Sequence, residues 1–159
     1  MEKKDLLKDV IKHIDIKSYD STQLIDAMRN MSFTSRDTAR AADILMMMCK
    51  EKECTNILTL AGSTSAAGCM QVYVDMVRNK MIDVVVATGA SIIDMDLFEA
   101  LGYKHYIGEK ENVIPDTTLR DLYIDRIYDT YIDEEELQAC DHSTYELANM
   151  LEARPYSSR

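Results

Sequence analysis

The sequence predicts an α/β fold: a parallel sheet flanked by helices, preceded by N-terminal helices and incomplete within the chain. Three observations predict it. Ile57-Leu58-Thr59-Leu60 is a short apolar run that breaks into the small, hydroxyl-rich Ala61-Gly62-Ser63-Thr64-Ser65-Ala66-Ala67-Gly68. Met81-Ile82-Asp83-Val84-Val85-Val86-Ala87 behaves alike, breaking into Thr88-Gly89-Ala90. Between them, Ala66 to Lys80 is long enough for one helix. Strand, turn, helix and strand in that order form the repeating unit of a Rossmann-like sheet.

The elements follow in order. Leu6, Leu7, Val10, Ile11 and Ile14 share one helical face, which predicts a helix over Leu6 to Ile16. Asp20 and Gln23 form a candidate capping box for a helix over Thr22 to Met31. Ser35 is the expected cap of a Met-rich helix over Arg36 to Lys50, whose methionines read as plain packing. The first strand is expected over Asn56 to Ala61. The helix after it carries Met70, Val74 and Val77 on one side and stops at Asn79-Lys80. Met81 to Thr88 reads as a strand buried on both faces, because Val84-Val85-Val86 has no polar alternation. A helix over Ile92 to Leu101 stops at Gly102. Tyr103 to Gly108 reads as a short extended segment and Glu109 to Pro115 as a polar loop. Thr118 to Tyr131 fits either a helix or a strand-and-turn pair. Asp133-Glu134-Glu135-Glu136 is acidic enough to open a helix, and Ser143 is the expected cap of a last one over Thr144 to Glu152. The organisation expected is an N-terminal helical segment over 1–52 and part of a nucleotide-binding α/β domain over 53–159. Only two core strands are clear, and Ala153 to Arg159 does not resemble a finishing tail. The expectation is one part of a longer protein, or a sheet completed by a second chain.

Composition narrows the partners. The net charge of −10 repels phosphate backbones and anionic membrane surfaces, and attracts cations such as polyamines. No apolar run approaches the roughly 20 residues of a membrane span, and the charged start has no signal-peptide core. Cys49, Cys54, Cys69 and Cys140 are irregularly spaced and read as reduced thiols, which points to the cytoplasm. The three histidines, His13, His105 and His142, are scattered, so no metal site is expected.

Neither a Walker A loop nor a Gly-x-Gly-x-x-Gly fingerprint is present, and no lysine follows Gly68. What remains is the mechanism behind those motifs: small-residue turns let a ligand approach the backbone closely. In dinucleotide folds an acidic residue beyond the second strand accepts hydrogen bonds from ribose hydroxyls. Asp94 is the candidate here, with Asp96 and Glu99 as rivals.

At this level the chain resembles the N-terminal part of the deoxyhypusine synthase family, including its deoxyhypusine-synthase-like members. The resemblance rests on Gly62 to Gly68, on Met81 to Ala90, on Asp94-Met95-Asp96-Leu97-Phe98-Glu99-Ala100-Leu101-Gly102 and on His105-Tyr106-Ile107-Gly108. Phe33-Thr34-Ser35-Arg36 adds to it. It implies NAD-dependent aminobutyl transfer, in which NAD accepts a hydride from spermidine. The aminobutyl group then passes, through an imine on an enzyme lysine, to an acceptor amine. It also implies a homotetramer, or a second chain carrying the C-terminal half. Gly62, Ser63, Thr64, Ser65 and Ala66 would form the first cofactor turn, Thr88, Gly89 and Ala90 the second, and Asp94 the ribose ligand. The family's catalytic lysine belongs to a C-terminal half that this sequence does not include, so no catalytic residue is assigned. The chain alone is expected to be inactive, with a non-catalytic partner of an active paralogue as the alternative.

Overall fold

The computed structural model describes residues 1–110 and 113–157. Glu111 and Asn112 of the expected polar loop, and Ser158 and Arg159, lie outside the described residues. The helices, in chain order, are α1 (Lys3–Leu6), α2 (Thr22–Met28), α3 (Phe33–Lys50), α4 (Met70–Arg78), α5 (Gly89–Ser91), α6 (Phe98–Ala100), α7 (Asp116–Asp121) and α8 (Glu134–Asn149). The strands are β1 (Ile57–Leu60), β2 (Val84–Ala87), β3 (His105–Ile107), β4 (Ile124–Ile127) and β5 (Thr130–Asp133). The protein is α/β, with one parallel sheet of two strands and one antiparallel sheet in the order β3-β5-β4. This is an incomplete Rossmann-like arrangement.

Contacts divide the chain into two compact units. One holds His13–Leu60 and Cys69–Ala87; the other holds Met1–Lys12, Ala61–Gly68 and Thr88–Arg159.

In the first unit β1 and β2 pair in parallel, with Ile57 opposite Val84 and Leu60 opposite Ala87. Asn56 fixes the entry to β1: its N–H donates to Asp83 at 2.8 Å and its side-chain amide donates to the Met81 carbonyl at 3.0 Å. The expected burial of the second strand is corrected. Val84, Val85 and Val86 are 41, 44 and 54% exposed. A parallel strand is covered when neighbouring strands and crossover helices cover it, and among the described residues this sheet has two strands. The early helices form, with shifted ends. α2 stops at Met28, and Asp20 still accepts from the Thr22 N–H at 2.9 Å. α3 starts at Phe33, with Ser32 rather than Ser35 in the capping position.

The second unit is built on the antiparallel sheet. Two apolar clusters lie on it: Ile114, Leu119, Ile124 and Tyr131 in one, and Phe98, Ile132 and Cys140 in the other. The helix expected over Leu6 to Ile16 does not form. α1 ends at Leu6, and Val10 pairs with Tyr106 as an isolated antiparallel bridge. Ile107 N–H donates to the Asp9 carbonyl at 2.7 Å and Ile11 N–H donates to His105 at 2.9 Å. Pairing with a distant strand consumes the backbone groups a helix would need. The ambiguous Thr118–Tyr131 stretch resolves into the end of α7, then β4 and a two-residue hairpin into β5. α8 opens at Asp133, whose carboxylate accepts from the N–H groups of Glu135 at 2.9 Å and Glu136 at 3.3 Å. It runs through Ser143, which caps nothing: its hydroxyl donates back to the Ala139 carbonyl at 2.9 Å. No helix among the described residues is long and apolar enough to cross a membrane.

Candidate functional site

Both hydroxyl-rich turns belong to the second unit. The first leaves Leu60 through Gly62, at φ +77°, where an added Cβ would meet nothing within 4 Å. It then tightens into a π-helical turn at Ser65–Cys69. Ala67 N–H closes it by donating to the Ser63 carbonyl at 3.0 Å. Gly68 sits at φ +96°, and a Cβ there would stand 3.0 Å from the Lys12 carbonyl oxygen. The residue ending the turn is therefore restricted to glycine twice over, by conformation and by space. Ser65 and Ala66 are each 1% exposed. The Ser65 hydroxyl is buried with no hydrogen-bond partner among the described residues.

The second turn enters α5 at Thr88, whose hydroxyl accepts from the Ser91 N–H at 3.4 Å. Ser91 is the link between the turns. Its hydroxyl lies 3.2 Å from that of Thr88 and donates to the Gly62 carbonyl at 3.3 Å. Gly89 is open, with nothing within 4 Å of an added Cβ. The structure thus joins the first turn, at Gly62, to the second, at Thr88, through the buried Ser91 hydroxyl.

The expected helix over Ile92 to Leu101 is present as a π-helical turn, Ile92–Leu97, joined to α5 and α6. Asp94 lies on it, half-buried. Burial first, and the Asp141 charge of α8 second, raise its carboxyl above the ordinary value. A carboxylate in that setting gains from any hydroxyl donor brought to it. Of its rivals, Glu99 is committed to His105, Oε1 to Nδ1 at 2.6 Å. His105 itself is 1% exposed with its ring 5.1 Å from that of Phe98, so it belongs to the interior. Asp96 has one buried carboxylate oxygen without a hydrogen-bond partner among the described residues.

Among the described residues, two cavities of this unit stand out. The smaller, about 240 Å³, is lined by residues 63, 64, 66 and 67 of the first turn and by Ile127, Tyr128, Asp129 and Thr130. Sequence reasoning left this hairpin open as one of two alternatives, because Tyr128-Asp129 is not an Asn-Gly type of turn signal. Tyr128 nevertheless takes φ +55°, a conformation unusual enough in an aromatic residue to mark the spot. The larger cavity, about 750 Å³, lies between α7, β4 and α8. Arg126 and Asp116 pair at its edge at 2.5 Å. A hydrogen bond with Glu134, then burial, lifts the Asp125 carboxyl there to about 6. No group of His, Cys, Asp and Glu among the described residues is arranged to hold a metal ion.

The residues fit one portion of a dinucleotide rather than all of it. The buried Ser65 hydroxyl lacks a partner among the described residues, Gly62 and Gly89 leave open space at the backbone, and burial raises the Asp94 carboxyl. The adjoining cavity is smaller than the ~300–1,000 Å³ of whole-ligand pockets.

Comparison with known proteins agrees with the motifs. The deoxyhypusine synthase family model matches residues 23–158. A deoxyhypusine synthase-like protein of Caulobacter vibrioides is 65% identical over 158 residues, covering 99% of this chain and 42% of the relative. One from Coxiella burnetii is 60% identical over 157 residues, covering 99% and 44%. A probable deoxyhypusine synthase 2 of Methanosarcina acetivorans is 35% identical over 146 residues, covering 92% and 41%. The chain spans less than half the length of these curated relatives. On the family match and the motif-bearing turns together, the chain belongs to the deoxyhypusine synthase family.

Proposed function

We propose that this chain supplies part of the NAD site of a transferase that moves an aminobutyl group from spermidine to an acceptor amine. The observation that carries the reading is the pair of hydroxyl-rich turns joined by Ser91, with Asp94 beyond the second. Ser63, Thr64 and Ser65 would hydrogen-bond the cofactor, Gly62, Gly89 and Ala90 would let it approach the backbone, and Asp94 would accept from ribose hydroxyls. Bound there, NAD would supply a hydride acceptor for the carbon that carries the amine nitrogen. The chain's own residues bind and orient; none of its lysines is assigned as the nucleophile. Net charge of −10 favours a cationic substrate. Assembly as a homo-oligomer, a tetramer by family resemblance, or with a chain carrying the C-terminal half, and a cytoplasmic setting, belong to the same reading. So does the division into a helical segment over 1–52 and part of a nucleotide-binding domain over 53–159.

The test is isothermal titration of NAD into the protein beside a Gly89→Val variant. Gly89 has open space and an ordinary φ, so the variant folds while filling the approach path. Saturable heat in the parent that disappears in the variant supports the proposal. Absence of saturable heat in the parent refutes it. The exposed valines of β2 favour one second reading, a non-catalytic partner of an active paralogue. A companion subunit that co-purifies in fixed ratio distinguishes that reading, and a lone stable chain defeats it.

A further inference from the structure

Two of the four cysteines stand in an arrangement that neither the turns nor the cavities use. Cys49 lies in the last turn of α3, and Cys54 follows five residues on, ahead of β1, in the run Cys49-Lys50-Glu51-Lys52-Glu53-Cys54. Both belong to the first unit, together with Asn56 and Met81. The chain turns back between them. Glu51 N–H donates to the Met47 carbonyl at 3.0 Å and closes α3, and Cys54 N–H donates to the Glu51 carbonyl at 3.3 Å. Lys50 to Glu53 are all exposed, so no packing holds this connector rigid.

The two thiols reach one polar centre from two sides. Cys49 S–H donates to the Met81 carbonyl at 3.8 Å, and Cys54 S–H donates to the Asn56 side-chain oxygen at 3.2 Å. The Asn56 side-chain amide donates to that same Met81 carbonyl at 3.0 Å. The sulfurs are therefore the two ends of one short hydrogen-bonded chain centred on Asn56, which is 6% exposed. A thiol is a weak donor, so each sulfur leaves its bond at little cost. Cys49 is exposed and Cys54 half-buried. An exposed thiol with a second one close behind it is the layout of an attacking and a resolving pair. A disulfide needs its two Cα atoms within ~7 Å, and the exposed connector is the segment that adjusts to bring them there.

We propose that Cys49 and Cys54 form a thiol–disulfide exchange site whose co-reactant is a small-molecule disulfide. The Cys49 thiolate attacks one sulfur of that disulfide. A mixed disulfide forms, and the thiolate released takes up the proton that Cys49 gave. Cys54 then attacks the Cys49 sulfur, its proton passing to the second leaving thiolate, and the mixed disulfide breaks as the Cys49–Cys54 bond forms. The two protein thiols lose two electrons, and the small disulfide is reduced to two thiols. Closure withdraws both S–H donors from Asn56 and Met81, so oxidation is felt where Asn56 fixes the entry to β1.

The experiment incubates the reduced full chain with oxidised glutathione, quenches with acid and reads masses, intact and as tryptic peptides cut at Lys50 and Lys52. The parent loses about 2 Da, with the link assigned to Cys49 and Cys54, and reduced glutathione reverses the change. Cys54→Ser stops at the mixed disulfide on Cys49, a gain of about 305 Da, and Cys49→Ser forms no bridge. Amide NMR of the parent shows shifts on oxidation at residues 54–57 and 81–84, which Cys49→Ser does not show. Melting curves of both reduced variants match the parent, because each substitution removes one weak donor. A parent that ends as glutathione adducts without a bridge, a bridge made through Cys69 or Cys140, a bridged product that persists in either single variant, or oxidation that leaves residues 54–57 and 81–84 unmoved would overturn the proposal.

Discussion

Ser91→Ala is the sharpest probe of the candidate site. The hydroxyl it deletes is 2% exposed and touches the Gly62 carbonyl at 3.3 Å and the Thr88 hydroxyl at 3.2 Å. Two magnitudes compete. A buried polar group stranded by the deletion costs about 1–3 kcal/mol, whereas a net neutral hydrogen bond is worth about 0.5–1.5 kcal/mol. Gly62 is exposed, so its carbonyl regains a partner from water, and the lower range applies. The expected destabilisation is about 1 kcal/mol, a fall in melting temperature of about 2–4 °C for a chain of this size. The same loss, if it is felt as loosening of one turn against the other, weakens NAD by about fivefold. Urea unfolding measures the first quantity and isothermal titration the second. Pairing Ser91→Ala with Thr88→Val in a double-mutant cycle shows whether the two hydroxyls act together. Non-additivity of about 0.5 kcal/mol or more is expected for groups in direct contact. NAD affinity within twofold of the parent, with stability reduced as stated, would refute the idea that Ser91 positions the turns.

Three further outcomes follow from particular contacts. Gly108→Ala places a Cβ 2.7 Å from the Tyr131 ring, which is 1% exposed and cannot swing away, so a loss of about 1–3 kcal/mol is expected in urea unfolding. Asp94→Asn removes a half-buried carboxyl whose ionisation is opposed by burial and by Asp141. It leaves melting at pH 7 unchanged or slightly raised and weakens NAD by about tenfold or more; an equal fall in both quantities would assign Asp94 a purely structural role. Asp125, raised to about 6 by its hydrogen bond with Glu134, is stabilising while protonated. That stability is complete below its unfolded pKa near 3.8 and is lost as pH rises through about 6. Glu134, lowered by the same bond, acts in the opposite sense and only below its ordinary 4.5. The urea midpoint of the parent relative to Asp125→Asn therefore declines between about pH 4.5 and 6.5, and a flat difference contradicts the shared proton.

The elements legible in the sequence are those that local signals decide. β1, α4 and β2 lie within a short loop-and-helix span, and their apolar runs and flanking small residues announce them. α8 announces its start, because three glutamates after Asp133 suit a helix N-terminus. Its continuity was not legible: Ser143 has the chemistry of a cap, and only its bond to Ala139 shows a hydroxyl folded back on a running helix. The segment Leu6 to Ile16 has helical periodicity, yet Val10 meets Tyr106, 96 residues away, and no local pattern reports such a pairing. The site divides in the same way. The turns are visible as composition, while the Ile127–Thr130 wall depends on a hairpin whose tip carries tyrosine at positive φ.

Val84-Val85-Val86 shows how far composition can reach. Three consecutive β-branched residues without polar alternation describe a strand covered on both faces. The described structure leaves them 41 to 54% exposed beside a single partner strand. Burial of a sheet strand is a property of the sheet, so the residues encode a wider sheet than two strands provide. The site follows the same logic. Its described residues bring hydroxyls, small-residue turns and a half-buried carboxyl, the features on which the proposed ribose contacts rest. The net charge of −10 adds a general preference for cations over anions.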